Sequence, residues 1–297
     1  MKSGFISIIG RPNVGKSTLL NTLVNQKIAI TSNKPQTTRN IIQGIYNEPG
    51  YQIVFIDTPG IHKPLNKLGK VLNKEAQSQI RDVDAVLFVV DAKDGIGPGD
   101  KKIIESLRSS NSPVVLILNK IDQMSKDEIL ESINTYKDLY DFSEIIPVSA
   151  LKNDNVSRLI DVLKKYLTDD VRYFDDETIT SNSINFMVSE FVREKIFRMT
   201  EEEIPHSITC FTSKYEEKKD IINIMVDIIV DHDSIKKIII GHQGQLLKSI
   251  GIEARKDIEN LLGKQVYLEL YVKTIKNWRD KENYLNELGF NEKDYID

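Results

Sequence analysis

The 297-residue chain contains one cysteine (Cys210), one tryptophan (Trp278) and four histidines. A single thiol makes no internal disulfide and no thiolate cluster, so a reducing compartment, the cytoplasm, is expected. No apolar run reaches the roughly 18 residues of a membrane-spanning helix. Even residues 221–230 are interrupted by Asn223 and Asp227. The apolar start, residues 5–9, runs at once into Gly10-Arg11-Pro12 and is too short for a secretory leader. Charge of one sign is also lacking: 40 Lys and Arg against 44 Asp and Glu give −4, which excludes a globally basic surface. Hydrophobic content of 40% and charged content of 28%, with mean hydropathy of −0.30, are those of a soluble globular protein. The length suits two domains.

Apolar runs alternate with helical segments through the first half. Strands are expected at 5–9, 41–46, 52–57, 85–91, 114–119 and 145–148, and helices at 16–24, 65–80, 100–109, 126–139 and 156–167. Asn47-Glu48-Pro49-Gly50 marks a hairpin turn between the second and third strands. The later strands are continuous aliphatic runs, as in a sheet covered on both faces. The expected fold class is therefore α/β, a doubly wound, mostly parallel sheet with one antiparallel hairpin over residues 1–170. Pro98 and Pro113 fall in connections. Acids cluster over 171–183, the expected linker, and a smaller α+β unit spans 184–297. Its expected elements are a helix at 184–198, strands at 207–213 and 221–231, a third apolar run at 236–240, a helix at 246–262, a strand at 265–272 and a C-terminal helix.

Gly10-Arg11-Pro12-Asn13-Val14-Gly15-Lys16-Ser17 reads G-x-x-x-x-G-K-S between a strand and a helix. Backbone N–H groups and the positive end of the helix cradle phosphates in such a loop. Lys16 reaches the β- and γ-phosphates, and the Ser17 hydroxyl ligates Mg²⁺. Asp57-Thr58-Pro59-Gly60 follows: Asp57, ending a strand, suits a magnesium carboxylate, and Gly60 offers an N–H to a γ-phosphate oxygen. Asn119-Lys120-Ile121-Asp122 also follows a strand. The Asp122 carboxylate accepts from N1–H and N2 of guanine, whereas adenine leaves it facing an acceptor. Asn119 is expected to tie this loop to the phosphate loop, Lys120 to cover the base, and Ser149-Ala150, followed by Leu151, to give an N–H to guanine O6. In Gln36-Thr37-Thr38-Arg39, Thr38 rather than Thr37 is favoured as a magnesium- and γ-phosphate-sensing threonine.

The ordered set implies GTP hydrolysis, with Lys16, Thr38, Asp57 and Gly60 closest to the chemistry. Position 61 is Ile61, whose aliphatic side chain positions no water, and His62 beside Lys63 and Pro64 reads as a loop residue. Slow intrinsic hydrolysis is expected, or hydrolysis organised by backbone groups, a partner or a monovalent cation held by Asn13.

In the second unit, Gly241-His242-Gln243-Gly244 stands between the 236–240 run, read as a strand, and a helix. A G-x-x-G turn admits a nucleic-acid backbone to a helix N-terminus, as in KH modules that clamp about four unpaired nucleotides. Residues 235–281 hold ten Lys and Arg against five Asp and Glu. Lys248, Arg255, Lys273, Lys276, Trp278 and Arg279 are the expected RNA-binding side chains beside the loop. Two other classes stand beside the RNA-binding reading. One is a switch binding protein or membrane, and the other is a metabolic ATPase or kinase, against which Asp122 speaks.

With Ile250-Gly251-Ile252-Glu253-Ala254-Arg255-Lys256 and Asn277-Trp278-Arg279, these motifs resemble the Era family, in the TrmE–Era–EngA group of GTPases with a C-terminal type II KH domain. The resemblance covers nearly the whole chain. It implies binding near the 3′ end of 16S ribosomal RNA, a role in 30S subunit maturation, a monomer, and loose contact with the cytoplasmic membrane face. It also implies that Ile61 is the normal state and that Asn13 serves a potassium site. The middle pair His242-Gln243 departs from the family's frequent lysine or arginine, which leaves more of the phosphate attraction to Lys248 and the C-terminal basic residues.

Overall fold

A computed structural model of the chain describes residues 1–31, 40–59, 83–201, 204, 207–281 and 284–285. They form two compact units that divide between Ser181 and Asn182.

The first unit is a six-stranded sheet of order β2-β3-β1-β4-β5-β6. Its strands are β1 (Lys2–Ile9), β2 (Ile42–Glu48), β3 (Tyr51–Asp57), β4 (Ala85–Asp91), β5 (Val114–Asn119) and β6 (Glu144–Pro147). Only β2 runs antiparallel, to β3, across the Pro49-Gly50 turn; the other neighbours are parallel. Every residue of β4 and β5 is buried, the outcome of aliphatic runs covered on both faces. Helices α1 (Lys16–Leu23), α2 (Pro98–Leu107), α3 (Lys126–Lys137) and α4 (Val156–Leu163) are described. The helix expected at 65–80 lies outside the described residues. Pro98 sits at the start of α2 rather than in a connection. There its missing N–H costs nothing, and its fixed φ suits the first turn.

Residues 169–181 lie along the sheet instead of running free. Ser3 and Asp169 exchange backbone hydrogen bonds of 2.8 and 3.1 Å, and Ile45 N–H donates to the Ile179 carbonyl at 2.9 Å. The buried Gln52 side chain accepts from the N–H groups of Tyr173 (2.8 Å) and Phe174 (3.0 Å) and donates to the Phe174 carbonyl (2.8 Å). Backbone groups that a loose acidic segment leaves to water are thus paired here.

The second unit runs α5 (Ile184–Met199), β7 (Ile208–Glu217), β8 (Ile221–Val230), α6 (Asp233–Ile240), α7 (Gln245–Leu262) and β9 (Gln265–Thr274). β8 pairs antiparallel with β7 and parallel with β9. Ile250, Ala254 and Ile258 form one fully buried stripe of α7 at helical spacing. The run 236–240, read as a strand, is the end of α6. Ile239 is fully buried while Ile238 is 48% exposed, a one-sided burial that a helix beginning at Asp233 produces. The end of the C-terminal helix expected in this unit falls outside the described residues.

Candidate functional site

The parallel strands β1, β3, β4, β5 and β6 end at one edge of the sheet, and the first-unit motifs fall at those ends, where open α/β sheets bind ligands. After β1 the chain turns through Asn13 (φ 66°) and Gly15 (φ 97°) into α1. A Cβ on Gly15 would lie 2.3 Å from Asn119 Nδ2, so only glycine lets the phosphate loop meet the loop after β5. Asn119 uses that proximity: its Nδ2 donates to the Val14 carbonyl (2.8 Å) and its Oδ1 accepts from Ala150 N–H (3.0 Å). One amide makes the expected tie between the base loop and the phosphate loop, and it also holds the loop after β6. Of the Ser149-Ala150 pair expected to give an N–H to guanine O6, Ala150 has its N–H engaged by Asn119 in this structure.

Lys16 is buried, and its Nζ donates to the carbonyls of Gly10 (3.1 Å) and Arg11 (2.9 Å). Burial lowers its pKa to about 8, against the raising effect of Asp57. Asp57 is fully buried and accepts from the Ser17 hydroxyl at 2.7 Å. Burial pushes its carboxyl up to about 6, opposed by Lys16 and by the Ser17 hydrogen bond. Asp57 Oδ1 is buried without a hydrogen-bond partner among the described residues. An orphaned carboxylate oxygen beside a serine hydroxyl is an oxygen donor set that fits Mg²⁺, with Ser17 and Asp57 the groups to hold it. The Thr58 hydroxyl donates to the Ile8 carbonyl at 3.0 Å, fixing the chain after β3, and Pro59 is buried. Gln36, Thr37, Thr38 and Arg39, as well as Gly60, Ile61 and His62, lie outside the described residues.

At the base loop, Lys120 adopts φ 68° and its Nζ lies 2.5 Å from Asp91 Oδ2. The exposed Asp122 accepts from the Ser149 hydroxyl at 2.5 Å, which orients the carboxylate. Leu151 is 72% exposed. The Thr22 hydroxyl on α1 donates to the Ala150 carbonyl at 2.9 Å, a link the sequence reading did not contain. The side chain of Arg11, a residue of the expected phosphate loop, pairs with Asp100. Asp91 and Asp100 were also missed, although Asp91, like Asp57, is a carboxylate closing a buried aliphatic strand.

In the second unit the G-x-x-G turn joins α6 to α7, helix to helix. Gly241 has φ 72°, and a Cβ there would lie 2.8 Å from the Leu246 Cβ. Gln243 (φ 49°) and Gly244 (φ 77°) continue the reversal. His242 and Gln243 are exposed, and so are Lys248 and Lys276, which make no ion pair among the described residues. Arg255 is half exposed, its Nε 3.9 Å from Glu259. Lys273 pairs with Asp227 at 2.6 Å, and Arg279 pairs with the buried Asp231 at 2.6 Å. Trp278 is fully buried, its indole N–H donating to the Ser207 carbonyl at 3.0 Å. It offers no face to a base. This corrects its assignment to the RNA site: apolar bulk and a satisfied N–H make it a core residue.

The family description "50S ribosome-binding GTPase" matches residues 5–120, and the description "KH domain" matches residues 203–279. Two solved structures match along the whole chain, each with 38% identity, a TM-score of 0.94, and coverage of 98% of this chain and 99% of theirs. One is a single-site variant of Era from Aquifex aeolicus bound to GDP·AlF4⁻. The other is Era in complex with MgGDPNP and nucleotides 1506–1542 of 16S ribosomal RNA.

The chain belongs to the Era family of GTPases.

In this Era-family chain the first unit is the GTP-hydrolysing one and the second is the KH domain. The α-β-β-α-α-β order of the second unit, with its G-x-x-G between the paired helices, is the type II arrangement implied by the sequence resemblance.

Proposed function

We propose that this protein binds and hydrolyses GTP to GDP and phosphate at the edge formed by Gly10–Ser17, Asp57, Asn119–Asp122 and Ser149-Ala150. We propose further that it binds 16S ribosomal RNA near its 3′ end through the α6–α7 turn, assisting 30S subunit maturation. The observation that carries the reading is the presence in one chain of a braced guanine-nucleotide site and an open G-x-x-G turn that leads into a helix bearing the exposed Lys248. The whole-length likeness to an Era structure holding both MgGDPNP and 16S nucleotides 1506–1542 supports it.

The chemistry follows from the cradle. Lys16, drawn by phosphate charge from the Gly10 and Arg11 carbonyls, neutralises the β- and γ-phosphate oxygens as the bond from Pγ to the bridging oxygen breaks. Phosphate beside a buried ammonium reverses the burial cost that lowers its pKa. Bound Mg²⁺ supplies Lewis-acid neutralisation of those phosphates. Ser17 and Asp57 are the groups that would hold it, Asp57 as the ionised carboxylate. Asp122 and Asn119 select and seat the base. Ile61 orients no water, so the proposal includes a potassium ion held by Asn13, tested by hydrolysis in K⁺ against Na⁺.

A monomer in the cytoplasm, in passing contact with the membrane, completes the proposal. The reading of the chain as a switch without an RNA role has less support, because the open turn leads straight into a helix that carries the exposed Lys248. Titrating the chain with RNA of 16S nucleotides 1506–1542 and with a shuffled RNA of equal length tests the proposal. Preference for the native fragment, and co-sedimentation with 30S rather than 50S subunits, is expected. Equal binding of both RNAs refutes it.

A further inference from the structure

We propose that Arg11 and Asp100 form a positioning pair that sets the phosphate loop from outside the nucleotide site. Arg11 Nε donates to Asp100 Oδ1 at 2.8 Å, and a second guanidinium nitrogen donates to the Gly95 carbonyl at 3.3 Å. Asp100 is fully buried. Its other oxygen accepts from Gly97 N–H at 2.8 Å, closing the first turn of α2. The acceptor is therefore held in place, buried and with both oxygens used.

The surface beneath Arg11 is kept bare for it. A Cβ on Gly97 would lie 2.9 Å from the guanidinium, and one on Gly99 would lie 2.8 Å from the Arg11 stem. The carbonyl of the same Arg11 is one of the two that hold Lys16 Nζ. Fixing the Arg11 side chain thus fixes the peptide that presents the catalytic lysine. The segment gripping Arg11 also grips the base loop, because Asp91, at its start, holds Lys120. Residues 91–100 therefore brace the phosphate loop and the guanine loop from one side.

A misplaced phosphate loop weakens every contact to the β-phosphate, which GDP and GTP share. The pair therefore acts on nucleotide retention more than on the hydrolytic step at saturation. Because two side chains act as one unit, their losses do not add.

The inference rests on Gly10–Ser17 being the phosphate cradle, a reading tested separately by Lys16→Ala: unchanged GDP binding there refutes the cradle itself. For the pair, dissociation of a fluorescent GDP analogue is measured by stopped flow in the full chain for Arg11→Ala, Asp100→Asn and the double variant. Asp100→Asn keeps the shape of the side chain, so it carries the test if Arg11→Ala fails to fold. Each single variant is expected to release GDP about tenfold faster, and the double variant no faster than the quicker single. Arg11→Lys, keeping a charge on Asp100, recovers most of the loss. The ratio of GDP to IDP affinity stays at the parental value, because the guanine N2 contact sits on the other loop. Parental release rates in both single variants, or losses that multiply in the double variant, overturn the pair.

Discussion

The nucleotide site and the G-x-x-G turn handle charge in opposite ways. In the first unit the ions on the phosphate side, Lys16 and Asp57, are buried, Asn119, Arg11 and Lys120 are held by partners on other segments, and the exposed Asp122 is oriented by the Ser149 hydroxyl. In the second unit, Lys248 and Lys276 stand exposed and without an ion pair among the described residues, and His242 and Gln243 are exposed too. Burial and cross-bracing give geometry, and geometry rejects a wrong base or a wrong phosphate count. Exposed cations give attraction to a polyanion that is large, salt-dependent and tolerant of small displacements. A nucleotide switch needs the first property, and a clamp on an RNA strand can use the second.

The comparison is broken most severely at Asp122. Asp122→Asn presents a donor where guanine also donates, so GTP affinity is expected to fall by a factor on the order of 10⁴ while XTP becomes the better ligand. Competition between GTP and XTP for the variant checks this, and an unchanged preference removes Asp122 from the base site. Next is Lys16→Ala, expected to lower GTP hydrolysis by about a hundredfold or more with the fold retained. Phosphate release under saturating GTP and Mg²⁺ is the measurement.

The buried carboxylate sharpens the comparison through pH. In protein free of metal and nucleotide, Asp57 titrates at about 6 instead of 3.8. Between those values the native state keeps a proton that the unfolded chain has released, so stability falls as pH rises through the window. The cost, about 3 kcal/mol, is absent below pH 3.8 and complete above pH 6. Asp57→Asn therefore gains stability relative to the parent between pH 4 and pH 7, read by denaturation of both in EDTA. A difference that does not vary with pH contradicts the burial argument.

A smaller effect is expected at the connector. Gln52→Ala leaves the Tyr173 and Phe174 amides without their acceptor, costing about 2 kcal/mol locally. Hydrogen exchange at those two amides then quickens roughly thirtyfold, with α7 unaffected.

Much of the nucleotide site was legible because glycine, lysine and carboxylate spacings between aliphatic strands leave few alternative folds. β4 and β5 begin and end where their apolar runs do. The side-chain pairing of Arg11 was not legible because its partner Asp100 lies 89 positions away, and no local pattern links them. The 236–240 run was misread because three consecutive isoleucines mask the helical pair Ile235 and Ile239, with Asp233 as the start signal. Trp278 was misread because an aromatic among basic residues looks like a stacking platform. Its burial depends on the Ser207 carbonyl, 71 residues earlier. The connector looked loose because its acids suggested solvent, while Gln52 and Asn47, its anchors, lie in a hairpin far upstream.

The two sites answer independently to charge. His242→Asp with Gln243→Asp adds two negative charges at the turn, on exposed positions that no core contact requires. Titrating this double variant with GDP and with RNA of 16S nucleotides 1506–1542, at one fixed salt concentration, reads both sites on one protein. RNA affinity is expected to fall about tenfold or more, with GDP affinity at the parental value. RNA affinity that holds at the parental value shows the turn to be a helix cap and contradicts the account.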